Sequence, residues 1–497
     1  MQNIGEIMKR KFFAAIFALT MTGALFAAGF PSYLKMEGTK IVGCNGESLP
    51  ANLVIPEGVT VIGEKAFKEH MELKTVSLPK SLKKIEESAF SGDWPHGIHK
   101  SLKIEKVQYS GTLVDWCKLE NDESLLQSAS VVLLADVPDL KTLQTLTIPD
   151  GIERVGSFAF SHCAITTLIV PNSVKSVGNG AFKENPIKRA RYKGTLAEYC
   201  QIDSTHLPIS IKLEDVPLVD ALQTLVIPAG VKKIGNGAFQ ECAITNLTIP
   251  EGVTEIGDDA FFYCTFLRNP TFPKSLKSIG ERAFARCYNV SKFVIPGNVK
   301  KIGKEAFVGN RDRLSTVIIE EGVEEIGVGA FAGCAQLSTV TIPSTITKIA
   351  DETFMLCDSL RNFKIPQTVT SIGYKAFSNC YAITTIEIPP SVKEIGESAF
   401  GECNGLTGIT IPDGVTKIEK ETFYGCSALT TVTIPASVKS IEERAFQYCR
   451  SLTTIMFKGT KAQWNAIKKD RAGFENGVIV RLTDGTTRIA NTTQDRF

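Results

Sequence analysis

Residues 429–449 read LTTVTIPASVKSIEERAFQYC, and the apolar positions within this stretch decide the fold. Leu429, Val432 and Ile434 stand at the first, fourth and sixth places, and Val432 and Ile434 alternate with threonine as one face of a strand does. Pro435 then ends the strand, because proline has no amide donor and a fixed φ. Val438, Ile441 and Phe446 bring the chain back past a second apolar side. A unit this short cannot bury its own apolar face. It must stack on copies of itself, and the copies are present: an Ala-Phe or Thr-Phe pair fills the repeat place fourteen times, at intervals of 22 to 24 residues from Phe239 to Phe446.

The period predicts a mostly β solenoid of stacked 22–24-residue turns, its strands parallel. The repeat phenylalanines, among them Phe239, Phe261, Phe284, Phe331, Phe377, Phe400 and Phe446, are expected to stack as a file through the core. A glycine after the second apolar strand residue (Gly235, Gly257, Gly303, Gly373, Gly396) reads as the place of a tight bend.

Thirteen cysteines would ordinarily suggest a disulfide framework in an exported chain. Ten of them stand three residues after a repeat phenylalanine, including Cys242, Cys334, Cys380, Cys403 and Cys449, and that place is filled in other repeats by Asn185, Asn310 or His70. A bridge needs cysteine at both ends, whereas a small group that hydrogen-bonds its own turn can be either residue. The expectation is a buried ladder of free thiols, with Cys44, Cys117 and Cys200 lying outside the pattern.

Three places break the repeat in the same way. Gly111-Thr112, Gly194-Thr195 and Gly459-Thr460 each precede by four residues an aromatic, Trp116, Tyr199 or Trp464. Threonine is a fair N-cap, so each site predicts a short helix with its aromatic against the core. Two of them, near 109–138 and 192–217, read as spacers, each restarting the repeat at Asp-Val-Pro (136–138 and 215–217). The third, 457–485, reads as a C-terminal cap, followed by a tail over 486–497. A ligand pocket around the tryptophans is the alternative.

The repeat with its Gly-Thr-x-x-x-Trp module resembles the BspA-like leucine-rich repeat family of bacterial surface antigens, from about residue 40 to residue 485. The resemblance implies an α/β leucine-rich repeat solenoid, mostly β, with a parallel strand sheet on the concave face and short helical or irregular convex segments, in an exported surface protein that adheres to host matrix glycoproteins such as fibronectin or fibrinogen, or to other microbes. The N-terminus agrees with export. Lys9, Arg10 and Lys11 precede an apolar run from Phe12 to Phe26 and small residues at Ala27, Ala28 and Gly29, which reads as a signal peptide over 1–29, with the solenoid from residue 30 and no other membrane span. Secretion or surface display is the expected location, with the periplasm as alternative.

Outward strand positions are the expected contact surface: Thr339, Thr341, Asn362, Lys364, Thr385, Glu387, Thr410, Thr431 and Thr433. Fifty-five basic against 53 acidic residues leave a net charge of +2, which gives no general field for nucleic acid or anionic membrane. Lys232, Lys233, Lys300, Lys301 and Lys439 read as a solvated face. Two other readings stand beside adhesion. One is a periplasmic or envelope scaffold. The other is a metal-dependent enzyme, for which the five histidines (His70, His96, His99, His162, His206) offer only the H-x-x-H of His96 and His99. No catalytic residues, metal or cofactor are predicted.

Overall fold

In a computed structural model the chain is described over residues 30–45, 49–68, 70, 72–93, 99–101, 103–203, 207, 211–216, 218–361, 363–469, 472–474 and 477–489. Residues 1–29, expected to be a signal peptide, lie outside these residues, as do Asn362, His96 and His206. The chain forms two units, one up to Lys193 together with Leu207, and one from Gly194 onward. The second Gly-Thr module therefore opens the second unit.

Both units are built from the same turn. In the second unit the strands Lys292–Ile295, Thr316–Ile319 and Thr339–Thr341 pair in parallel, with Phe293 opposite Val317 and Val317 opposite Val340. Gly408–Thr410, Thr431–Ile434, Thr454–Phe457 and Ile479–Leu482 do the same further on. The Val-x-x-Ile segment, expected to be irregular or helical, makes a second parallel ladder of two-residue strands, as in Ser278–Ile279, Lys301–Ile302 and Glu325–Ile326. In the first unit Asn52–Val54, Thr75–Leu78, Ile104–Tyr109 and Ala129–Leu133 form one such sheet, and Thr145–Thr147, Thr167–Pro171 and Arg189–Lys193 another.

A third ladder runs past the phenylalanines. The amides of Lys375, Phe377 and Asn379 donate to the carbonyls of Glu397, Ala399 and Gly401 in the next turn, while those of Ala376, Ser378 and Cys380 close turns on Gly373, Lys375 and Phe377. Alternate amides thus point along the stack in one direction. The geometry requires a left-handed residue two places before and two places after the phenylalanine, as at Lys375 (φ 48°) and Asn379 (φ 60°). Some repeats use glycine there, such as Gly309 (φ 71°) and Gly333 (φ 69°), which escapes the steric cost that other residues meet.

The bend predicted at Gly235, Gly257, Gly303, Gly373 and Gly396 is corrected by this. None of these five has a positive φ. A Cβ on Gly303 would lie 2.4 Å from the carbonyl carbon of Gly280, and one on Gly396 would lie 2.7 Å from that of Gly373. The Gly303 amide donates to the Ile279 carbonyl at 2.8 Å. These glycines serve close approach of one turn to the next, and the bends lie on either side of the phenylalanine.

The rings stack as the period predicts. In the second unit every centroid step from Phe239 through Phe261, Phe284, Phe307, Phe331, Phe354, Phe377, Phe400 and Phe423 to Phe446 is between 5.0 and 5.9 Å, with near-parallel planes. Phe474 continues the file beyond Phe446 at 5.0 Å. Ala472 supplies the carbonyl that the Phe446 amide needs. An antiparallel hairpin finishes one sheet in each unit: Leu34–Glu37 with Lys40–Cys44 in the first, and Ile479–Leu482 with Gly485–Arg488 in the second. No helix among the described residues is long and apolar enough to cross a membrane.

Candidate binding surface

Alternation along each long strand sends one residue inward and the next outward, so the outward residues of successive strands line up in rows. Thr316 stands beside Thr339, and Ile318 beside Thr341. Lys364 faces Glu387, and Thr385 faces Gly408. Gly408 is beside Thr431, and Thr410 beside Thr433. Of the residues expected to form the contact surface, Thr339, Thr341, Lys364, Thr385, Glu387 and Thr410 are exposed, Thr431 and Thr433 are half-buried, and Asn362 lies outside the described residues. The rows also carry apolar residues that the sequence reading passed over, namely Val226, Val294 and Met456, 56%, 37% and 40% exposed.

The hydroxyls of this face fall into two classes. Where the chain enters the strand they are spent on the scaffold: Thr407 Oγ1 donates to the Thr384 carbonyl at 3.1 Å, Thr430 Oγ1 to Thr407 at 2.9 Å, and Ser338 Oγ to Ser315 at 3.2 Å. Within the strands, Thr339, Thr341, Thr385, Thr410, Thr431 and Thr433 make no side-chain hydrogen bond to the described residues. Their donors and acceptors face water and are free for a ligand.

The Gly-Thr modules are scaffold. Thr112, Thr195 and Thr460 each cap a short helix, Leu113–Cys117, Leu196–Tyr199 and Lys461–Ala466, in a capping box closed by Asp115, Glu198 and Gln463. The first helical amide of each is held by an aspartate from downstream: Leu113 by Asp136 at 2.8 Å, Leu196 by Asp215 at 2.8 Å and Lys461 by Asp484 at 2.9 Å. The restart motif is therefore a second cap, and Asp484 plays that part without the Val-Pro that follows the other two. Trp116, Tyr199 and Trp464 are all buried. The Trp116 indole N–H donates to the Ala159 carbonyl at 2.6 Å. In an ordinary repeat that carbonyl accepts the amide of the preceding turn's phenylalanine, as Ala399 accepts from Phe377. The indole replaces a missing backbone donor. Replacing Trp116 with phenylalanine keeps most of the volume and orphans the Ala159 carbonyl, so we expect a loss of about 1–3 kcal/mol in denaturant unfolding of the first unit. A change within about 0.5 kcal/mol would mean that the hydrogen bond is not what the tryptophan supplies.

All thirteen cysteines are free, and all but Cys44 are buried. Cys380 Sγ donates to the Phe354 carbonyl at 3.1 Å, Cys403 to Phe377 at 3.1 Å and Cys426 to Phe400 at 3.1 Å. Asn310 Nδ2 makes the equivalent bond to the Phe284 carbonyl at 3.0 Å, and Asn185 Nδ2 the one to Phe160 at 2.6 Å. This shared donation is why asparagine and cysteine exchange along the chain. His70 does not join the ladder; its ring pairs with Glu72 at 3.0 Å. Burial pushes the Cys334 and Cys403 thiols up to about 12, far from a nucleophile's range.

His162 is the histidine most enmeshed in charge. Its Nε2 lies 2.7 Å from Glu123, whose other carboxylate oxygen binds Lys183 at 2.9 Å. Burial works against the Glu123 charge, yet the hydrogen bonds from Lys183 and His162 outweigh it and hold the carboxyl below its ordinary range. The group ties the helix Glu123–Ser128 to two repeats. No set of three side chains able to hold a metal ion occurs among the described residues.

A family model described as BspA type Leucine rich repeat region, in six copies, matches residues 45–107, 139–212, 219–338 and 324–453. Among solved structures the chain is similar to a leucine rich cell surface protein from Faecalibacterium prausnitzii, with 29% identity over 66% of this chain and 91% of that one and a TM-score of 0.41. It is similar also to a leucine-rich repeat protein from Bacteroides ovatus, with 22% identity over 92% and 97% and a TM-score of 0.40. A leucine-rich repeat protein from Eubacterium ventriosum shows 20% identity over 68% and 84%, with a TM-score of 0.43. None of the curated proteins compared with the chain matches it.

Proposed function

The chain belongs to the BspA-type leucine-rich repeat family, whose model covers most of its length, and from that premise we propose that it is an exported protein that binds other proteins without chemistry. Its binding surface is the strand face, and its targets are host matrix glycoproteins such as fibronectin or fibrinogen, or the surfaces of other microbes. One observation carries the reading: the strand threonines from Thr339 to Thr433 hold hydroxyls that the scaffold leaves unused, while those at the strand entries are consumed by it. Repeated every turn, weak polar contacts add up over an extended partner, which is how solenoid surfaces commonly work. The N-terminal basic and apolar segment supports export.

The test is binding of the chain from residue 30 onward to immobilised fibronectin, fibrinogen, laminin and collagen. A strand-face variant carrying Lys364→Glu, Glu387→Lys and Thr410→Arg is run beside it. Saturable binding to at least one of the four, weakened about tenfold or more in the variant, is expected. Failure on all four would sink matrix adhesion, and resistance of the protein to protease on intact cells would point to an envelope scaffold instead.

A further inference from the structure

Away from the strand face, the turns that follow the phenylalanines of the second unit carry mostly small or polar residues, with single exposed apolar side chains at Leu356, Tyr381 and Tyr448 and a group of them after Phe261. Five residues beyond the repeat phenylalanine the chain has Asp312, Gln336, Ser359, Ala382 and Gly405, but after Phe261 it has Phe266, 57% exposed. Beside it Tyr263 is 40% exposed and meets Tyr288 of the next turn edge to face at 5.8 Å. Arginines complete the group. The Arg286 guanidinium lies 5.9 Å from the Phe262 ring centre, and that of Arg311 lies 5.4 Å from Tyr288.

The same edge continues into a shallow pocket at the strand entries, lined by Arg313, Arg361, Ser315, Ser338, Ser359 and Gln336, together with Asp312. Asp312 is the one carboxylate there and it lies 3.8 Å from Arg311. Arg286, Arg313 and Arg361 have no ion pair among the described residues. The Ser315 and Ser338 hydroxyls already donate to backbone carbonyls. The open hydrogen-bonding capacity of the pocket is thus mainly that of two guanidiniums, which suits planar carboxylates. Exposed tyrosine, phenylalanine and arginine together are the composition of protein-binding hot spots, and neither the core nor the turn geometry requires them here.

We propose that the edge from Phe266 to Arg361 is a docking surface for an acidic, aromatic-bearing segment of a partner protein. The aromatic rings supply the apolar anchor, and Arg313 and Arg361 take carboxylates of the same segment. This surface adjoins the threonine rows at Ser338 and Arg361 but uses different side chains.

The probe is a fluorescein-labelled copolymer of glutamate and tyrosine, followed by anisotropy with the chain from residue 30 onward. Saturable binding that weakens with salt is expected, and Arg286→Glu, Arg313→Glu and Arg361→Glu combined should weaken it about tenfold or more. Phe266→Ser alone should weaken it by a smaller factor, with the unfolding transition unchanged. The strand-face variant should bind the copolymer as the parent does. Absence of binding in the parent, full affinity in the triple variant, or loss of binding in the strand-face variant would each overturn the proposal. Tighter binding of heparin or of a single-stranded oligonucleotide than of the copolymer would overturn it in favour of a polysaccharide or nucleic acid ligand.

Discussion

Raising the pH from about 8 to about 10 is expected to unfold the second unit, because its core is threaded with thiols that cannot ionise in place. Burial pushes Cys200, Cys242, Cys287, Cys334 and Cys403 up to about 12 from an ordinary value of 9.0. Cys264, Cys357, Cys380 and Cys426 are raised well above it, burial again being the main cause. For an acid whose folded pKa is the higher one, stability is complete below the unfolded value and is lost as pH climbs from there toward the folded value. Each thiol then withdraws about 1.4 kcal/mol per pH unit above 9, so five of them remove on the order of 7 kcal/mol by pH 10. That is comparable to the whole stability of a typical domain, about 5–15 kcal/mol. Urea titrations at a series of pH values should show a level midpoint up to about 8.5 and a steep fall above 9, with thiolate absorbance rising together with the loss of structure. A midpoint unchanged to pH 11, or thiolate signal appearing while the fold is intact, would refute the buried ladder.

Phe377→Ala should cost about 3–5 kcal/mol, the cavity adding to the lost transfer free energy. The ring stacks on Phe354 at 5.6 Å and on Phe400 at 5.4 Å, and meets Phe363 edge-on at 5.0 Å. It is fully buried. Since each turn is held only by its two neighbours, the damage should spread to the turns of Phe354 and Phe400 before it reaches the ends. Hydrogen exchange would show this as protection lost first around Cys357 and Cys403. A penalty below about 1 kcal/mol, or exchange raised evenly along the unit, would refute a continuous load-sharing file.

The period made the turn, the phenylalanine file and the exchange of cysteine with asparagine legible, because each is a property of a residue type recurring at a fixed place. What a residue type does there is less legible. The glycines after the isoleucine recur often and so drew the reading of a bend, yet they relieve contact between backbones of adjacent turns. The true bends lie at positions held by Lys375, Asn379, Arg444 or Tyr448 as readily as by Gly309 or Gly333. The scattered glycines of that second kind were the available signal. The partner of the Trp116 indole, 43 residues away, carries no mark in sequence. The edge of Phe266, Tyr288 and Arg313 was passed over because it departs from the repeat, and a reading built on recurrence discounts what occurs once. The free strand hydroxyls became distinguishable from the spent ones only when their carbonyl partners could be seen.

Stacked parallel strands offer at each end a row of unpaired backbone groups, and such a row would template the addition of another chain. Here the chain turns back on itself at one sheet edge in each unit, and the outermost strands there, Leu34–Glu37 and Gly485–Arg488, carry Lys35, Glu37 and Arg488 among their residues. Charge on a short antiparallel edge is poor material for further growth. In each unit one sheet is thus closed against addition of a further strand at that edge. Any avidity would then come from the number of separate copies present rather than from copies joined through those two edges.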